Sequence, residues 1–369
     1  MKEILDKFND VDFSIELLDK VKIVAENFYT KHGRKPVLME VCGSHTQAFA
    51  KSGVKFAIKD HIQLIAGPGC PVCVTDQSSI DSMIELANKD NVILCTFGDM
   101  VRVPGSRQTL MQSKSQGKDV RIVYSPLDAV KIAKENPTKE VVFLGIGFET
   151  TIPLLGASVK EAERQGIKNY SVWMNTKLVE PILRYLITLG EVKVDGFLLP
   201  GHVSIVTGEE FYYFLRDEYK VPGIISGFEP VELLSGLYRI IDCLLSEKAE
   251  IINDYPFVVT KKGNKVAQDL MTEFFEVADE PWRGMGVISK SGMDFKTAFD
   301  SYNAKKKFDI QIPEARKTKC KCGEIIRGLI EPPDCALFGK ACKPVNPIGP
   351  CMVSSEGSCA AYYNFMREE

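Results

Sequence analysis

An α/β protein built on parallel sheets is the fold class this sequence predicts, and three observations predict it. From Pro36 to about residue 255, short β-rich runs alternate with helical stretches, the pattern of parallel strands covered by crossover helices. At 45% hydrophobic and 26% charged residues, the 369-residue chain has the composition of a protein that buries real cores and is long enough for two or three domains. Four loops rich in Gly, Cys, His and Thr each follow a strand candidate, where parallel sheets place their binding crevices.

Taken in order, residues 2–31 carry Leu5, Phe8, Phe13, Leu17, Val21, Val24 and Phe28 at the spacing of an amphipathic helix, interrupted near Asn9-Asp10. Strands are expected at 37–41, 62–66, 92–96, 120–124, 141–144, 170–174, 196–199 and 223–225. Helices are expected at 78–88, 150–165, 177–189, 209–218 and 229–246. These elements divide into two α/β units, 36–120 and 121–255, with a boundary near the polar stretch 112–119. Residues 265–310 read as mostly helix and loop, and Lys305-Lys306-Lys307 as a solvated face. From about residue 320 the chain is dense in Pro, Gly and Cys, a composition that needs a metal or a neighbouring domain to hold it.

A net charge of −3 argues against nucleic acid or an anionic membrane as the main partner. No apolar run approaches the roughly 18 residues of a bilayer span, and MKEILDKFND lacks the apolar region of a signal peptide, so a cytoplasmic protein is expected. In a reducing compartment eleven cysteines point to metal or redox chemistry rather than a disulfide framework. Six of them lie between Cys320 and Cys359, and Cys42, Cys70 and Cys73 cluster early. Cys95 and Cys243, in apolar surroundings, read as inert packing.

The four loops are Cys42-Gly43-Ser44-His45-Thr46, residues 67–73 (GPGCPVC), residues 145–151 (GIGFETT) and Pro200-Gly201-His202-Val203-Ser204. On the same edge of their sheets, they would face one another across a cleft between the two units. Cys70 and Cys73 form a C-x-x-C near the start of a helix capped by Thr75 or Asp76, a setting that favours thiolate and a reversible dithiol, or a shared metal site. Cys42, with His45 three residues on, suits nucleophilic catalysis or iron ligation, and a half-buried Cys beside a surface His is the bland alternative. No spacing completes a cysteine-protease site. The Gly145/Gly147 loop fails the dinucleotide fingerprint and no P-loop occurs, so Glu149, Thr150 and Thr151 bind a polar ligand or cap a helix. His202 is read as a cleft residue or a satisfied histidine. The spacings after Cys322 fit neither a zinc ribbon nor the bacterial ferredoxin run. Thiolates gathered from such loops can hold metal, iron–sulfur or zinc.

Taken together, residues 40–46 (EVCGSHT), GPGCPVC, GFETT, Cys335-Ala336-Leu337-Phe338-Gly339 with Cys342, and residues 354–362 (SSEGSCAAY) resemble the hydrogenase maturation protein HypD family, in the same order from about residue 36 to the C-terminus. The resemblance implies two α/β domains of related topology flanking a cleft, plus a third, mainly helical and loop domain made from 1–35 and 256–369 that carries a [4Fe-4S] cluster. It implies a redox-active scaffold, rather than a conventional turnover enzyme, on which the Fe(CN)2CO unit of nickel–iron hydrogenases is assembled. The partners implied are the chaperone HypC and the cyanide donor HypE, whose cyanide comes from a carbamoyl group supplied by HypF, and indirectly the hydrogenase large subunit. By motif, Cys42 holds the transient Fe(II) with its CN and CO ligands, and Cys70 and Cys73 are the redox pair. Cys322, Cys335, Cys342 and Cys359 ligate the cluster, with Cys320 and Cys351 as competitors. His45 assists the Cys42 thiolate, and Glu149, Thr150 and His202 bind or polarise incoming ligands. The rival readings are an iron–sulfur thiol/disulfide oxidoreductase acting alone and a structural zinc protein.

Overall fold

A computed structural model describes residues 11–310 and 318–366; the helix expected over 2–10 lies outside them. Its strands are β1 (Val37–Glu40), β2 (Gln63–Ala66), β3 (Val92–Thr96), β4 (Asp119–Ile122), β5 (Glu140–Gly147), β6 (Tyr170–Thr176), β7 (Gly196–Pro200), β8 (Gly223–Ser226), β9 (Ile251–Asn253), β10 (Phe275–Trp282) and β11 (Gly286–Phe295). All eight expected strands form. The first sheet runs β2-β1-β7-β8-β9 and the second β4-β3-β5-β6, with every neighbouring pair parallel. Numbered within each sheet in chain order, these read 2-1-3-4-5 and 2-1-3-4, so the two share a topology. Its switch point falls between the first and third strands, where such sheets bind ligands. In the first sheet that point lies between β1, which leads into Cys42, and β7, which leads into His202.

The chain does not fill the sheets in succession. It leaves the first sheet after β2, builds the whole second sheet, and returns at β7. The expected units 36–120 and 121–255 therefore cut both sheets, and the stretch 112–119 leads into the edge strand β4 rather than a linker. Alternating strands and helices announce parallel pairing, but apolar runs of equal strength carry no record of which partner each one takes.

Period-two alternation sorts the strand side chains between cores. Val92 and Leu94 of β3, with Phe197 and Leu199 of β7, enter a core shared by both sheets, whereas Ile93 and Cys95 face a second core and Leu198 a third. Cys95 and Cys243 are both buried, as inert packing requires. The helix Val11–His32 buries Val21, Ala25 and Phe28 against Leu233, Leu237 and Ile240 of the helix Pro230–Leu245. Val21 and Phe28 each contribute about 2 kcal/mol. That helix thus covers the first sheet instead of joining the C-terminal segment. Residues 275–295, expected as helix and loop, form the antiparallel hairpin β10–β11, with a register shift between Ala278 and Glu280. Pro281 and the charged residues of β10 disguised the alternation. The expected helix 209–218 is a 3-10 turn, Glu210–Tyr212, followed by the short helix Tyr213–Asp217. Among the described residues no helix is long and apolar enough to cross a membrane.

Candidate functional site

Cys42 follows β1 with an extended backbone (φ −144°, ψ 123°) and stands immediately before the helix Gly43–Lys51. The preceding Glu40 turns back on it. The Cys42 N–H donates to Glu40 Oε2 at 3.1 Å, and the Thr46 hydroxyl donates to Glu40 Oε1. Although the N–H groups of His45 and Ser44 face the thiol, burial dominates and pushes it up to about 12, with the charges of Glu356 and Glu40 acting in the same direction. A helix start, taken alone, promised a thiolate. With Cys42 only 7% exposed, desolvation outweighs it.

Glu40 is itself buried, and its carboxyl is pushed up to about 8 by desolvation against the Thr46 and Cys42 donors. A raised folded-state value means a contribution fully present below the ordinary 4.5 and lost as pH rises through about 8. Melting temperature is therefore expected to fall across that interval. Glu40→Gln should flatten the decline, which amounts to on the order of 5 kcal/mol; an equally steep profile in the variant would show that Glu40 is not its source.

His45 has no exposure, and its ring turns toward the loop after β8. Nε2 lies 2.9 Å from Gly227 O and 3.3 Å from Ser226 O, so Nε2 carries the hydrogen and Nδ1, buried without a partner, is the bare lone pair. Burial lowers this imidazole to about 4 and keeps it neutral. Phe228 packs at a tilt against His45 (ring centroids 4.8 Å apart) and stacks on His202 (4.2 Å), which joins the first and fourth sequence loops. His202 itself is exposed, in the first turn of the helix Gly201–Thr207.

The second loop reaches Cys42 through Gly69. A Cβ there would lie 2.3 Å from Cys42 N, so only glycine admits this approach. Cys70 caps the short helix Pro71–Val74, its Sγ accepting from Cys73 N at 3.3 Å, and Asp76, not Thr75, caps the helix Gln77–Ala87. Cys73 is raised above the usual thiol range, first by burial and then by the neighbouring thiols of Cys351 and Cys70. Its place near a helix start does not lower it.

From Cys73 the thiols continue without interruption. Cys351 contacts both Cys73 and Cys322, and it is held below the usual range by their S–H groups. Cys322 lies 3.2 Å from Cys320 and hydrogen-bonds Cys359. Cys320, Cys322, Cys335, Cys342 and Cys359 line one cavity closed by Leu337, Phe338 and Met352. A Cβ on Gly349 would meet the Cys320 and Cys322 sulfurs at 2.3 and 2.6 Å, so the chain is trimmed to admit them. Among the described residues no three His, Cys, Asp or Glu side chains are gathered as a single-ion site. Five thiols around one cavity fit instead the four-thiolate donor set of an iron–sulfur cluster.

Glu149 accepts from Val179 N through Oε1 at 2.8 Å, leaves Oε2 buried and unpartnered, and is pushed up to about 7 by burial. It lines a groove with Leu178, Glu180, Arg184, Met271 and Met293. Thr150 is half-buried in the turn beside it, and Thr151 precedes the helix Ile152–Arg164 without a side-chain cap.

Sequence reasoning left several residues of this site without a role. Glu356 accepts from Ser44 Oγ at 2.8 Å and fills the space that a Cβ on Gly43 would need. Glu40 and Glu356 both lie within the quoted motifs, and the glycine after Cys42 was the signal for a close neighbour. Cys351 was visible as a spare cysteine. Nothing local marks Phe228.

The family model HypD, described as "Hydrogenase formation hypA family", matches residues 16–366. The chain belongs to the HypD family. It is 40% identical over 366 residues to the hydrogenase maturation factor HypD of Rhodobacter capsulatus, covering 97% of each chain. Against the HypD of Escherichia coli K12 the identity is 38% over 370 residues, covering 99% of this chain and 98% of the other. A hydrogenase expression/formation protein HupD of Azotobacter chroococcum is 40% identical over 372 residues, 99% and 97% of the two chains. HypD-type sequences thus match this chain across both sheets and the cysteine-rich segment together.

Proposed function

We propose that this HypD-family chain serves hydrogenase maturation as a redox-active scaffold on which an iron centre receives its cyanide and carbonyl ligands. The observation that carries the reading is the meeting of Cys42 with the Cys70/Cys73 turn at the switch point of the first sheet, where Gly69 presses against the Cys42 backbone. The iron is cargo, held by Cys42 and a ligand from a HypC-type chaperone, with HypE as cyanide donor. Glu40 and Glu356, which oppose a bare thiolate, attract a dication, and the dication's own charge favours the thiolate, so Cys42 gives up its proton as iron arrives. The bare Nδ1 of neutral His45 offers a lone pair in the same neighbourhood.

Closing a disulfide between Cys70 and Cys73 releases two electrons and two protons, and Cys351 and Cys322 lie on the route from that pair to the cavity. A [4Fe-4S] cluster in the cavity would supply single-electron transfer. We assign it to Cys322, Cys335, Cys342 and Cys359, with Cys320, which lines the same cavity, competing for the place of Cys322. The stand-alone oxidoreductase is disfavoured: Cys70 and Cys73 are 5% and 1% exposed, and thiol exchange needs access to sulfur.

Anaerobic protein copurified with the HypC-type chaperone is expected to show infrared bands of iron-bound cyanide, and Cys42→Ala should abolish them. Bands at full strength in the variant would sink the assignment. Protein lacking visible iron–sulfur absorption and labile sulfide would remove the cluster.

A further inference from the structure

The β10–β11 turn, which no sequence motif announces, runs alongside the line of thiols and touches the chain near both Cys73 and Cys322. On one side Trp282 forms an antiparallel bridge with Thr75, two residues beyond Cys73, and Arg283 N donates to Val74 O at 2.8 Å. On the other side Gly284 packs backbone to backbone on Gly323, beside Cys322. A Cβ on either glycine would come within 2.9 Å of the other's Cα. The Arg283 guanidinium spans this junction. Nε donates to Thr75 O at 2.9 Å and Nη1 to Gln77 Oε1 at 3.4 Å, both on the dithiol side. Nη2 is buried and has no partner. A Cβ on Gly323 would also stand 3.6 Å from Arg283 O, which places Arg283 beside the cysteine-rich segment.

A buried guanidinium N–H without an acceptor is costly, and such a group is kept where an anionic group completes it. We propose that Arg283 is a positioning residue that clamps the Cys70/Cys73 turn against residues 320–323, with Nη2 held free to hydrogen-bond the thiolate-bearing group carried by that segment. The second half of this statement rests on the cluster reading above, whereas the clamp does not. Arginine suits the role because its planar fork fixes two carbonyl-side contacts while a third N–H points elsewhere; lysine, a single flexible point charge, cannot do both.

The test uses the full chain, purified anaerobically, with Arg283→Met and Arg283→Lys. Cys70 and Cys73 are buried, so iodoacetamide reaches them only through local opening of the turn. Arg283→Met is expected to raise their alkylation rate about tenfold, the factor that loss of one charge-assisted hydrogen bond gives. Cys95 and Cys243, buried in other cores, should keep the wild-type rate. Arg283→Lys should alkylate as fast as Arg283→Met while keeping the wild-type reduction potential of the bound cluster, and Arg283→Met should shift that potential downward. An unchanged Cys70/Cys73 rate in Arg283→Met, or equal acceleration at all four cysteines, overturns the clamp. An unchanged potential in Arg283→Met overturns the role of Nη2. Wild-type protein without iron or labile sulfide overturns that role together with the cluster reading, and the alkylation rates still decide the clamp.

Discussion

Glu280→Ala is expected to destabilise the folded chain by about 3–5 kcal/mol, the cost of leaving a buried charge without its partner. Glu280, 4% exposed, accepts from Lys177 Nζ at 3.0 Å and from Asn175 Nδ2 at 2.7 Å, and Lys305 Nζ lies 3.7 Å from its second oxygen. Lys177 has no exposure at all. Without Glu280 its ammonium keeps only Asn175 Oδ1 at 3.5 Å and the Trp282 ring, whose centroid is 5.8 Å away. The network joins β6 to the hairpin, and through Asn175 and Thr75 it reaches the residue two places beyond Cys73. Its loss should therefore loosen the dithiol turn as well.

The pH dependence separates this explanation from a simple cavity. Burial already lowers Lys177, and Glu280 is the main influence opposing that fall. With Glu280 gone, the folded chain binds the Lys177 proton less tightly than the unfolded chain does, so stability of the variant rises with pH. Denaturant unfolding at pH 7 and pH 10 should thus show a smaller deficit at pH 10, whereas a cavity alone would give the same deficit at both. The double variant Lys177→Met/Glu280→Leu should recover most of the loss, since apolar replacement of a buried pair is often neutral.

How far the sequence discloses this molecule depends on how local each signal is. The eight strand runs, the five helices after residue 70 and the four loops rest on nearest-neighbour chemistry, and the structure has the strands and loops where that chemistry puts them. The insertion of β3–β6 between β2 and β7 depends on pairing across more than a hundred residues, which no periodicity encodes. The same distinction runs through the site. Cys42, Cys70 and Cys73 stand out because each follows a strand on glycines that permit a tight turn. Cys351 touches Cys73 from almost three hundred residues away, and Arg283 arrives on a hairpin whose own pattern was obscured. The thiolate expected at Cys42 followed from the helix start alone; the shielding that reverses it comes from Glu356 and from the packing of distant segments.

Gly69→Ala tests how the two nearest of these signals are joined. A Cβ at Gly69 would stand 2.3 Å from Cys42 N, 2.4 Å from Cys42 Cα and 2.5 Å from Val41 C. All three are backbone atoms continuous with β1, which is hydrogen-bonded on both sides by β2 and β7, so the strand cannot yield. The 67–73 loop must move instead, and it is tied back through Gly67 N to Glu40 O at 2.7 Å and Gly69 N to Gly67 O at 2.9 Å. The expected cost is about 3 kcal/mol or more, in the range of overpacking against atoms that cannot relax. Gly98→Ala serves as the control, because its nearest neighbour, Ile122 Cγ2, is 3.8 Å from the added Cβ. Melting temperature should drop in Gly69→Ala and stay within a degree or so in Gly98→Ala, about what a change at an unstrained surface position produces. Where Gly69→Ala still folds, the dithiol turn has been displaced from Cys42, and the infrared bands of iron-bound cyanide should weaken although all three cysteines remain. Full-strength bands in a folded Gly69→Ala chain would mean that the dithiol need not touch the iron-binding thiol, and the scaffold would then have to work through Cys42 alone.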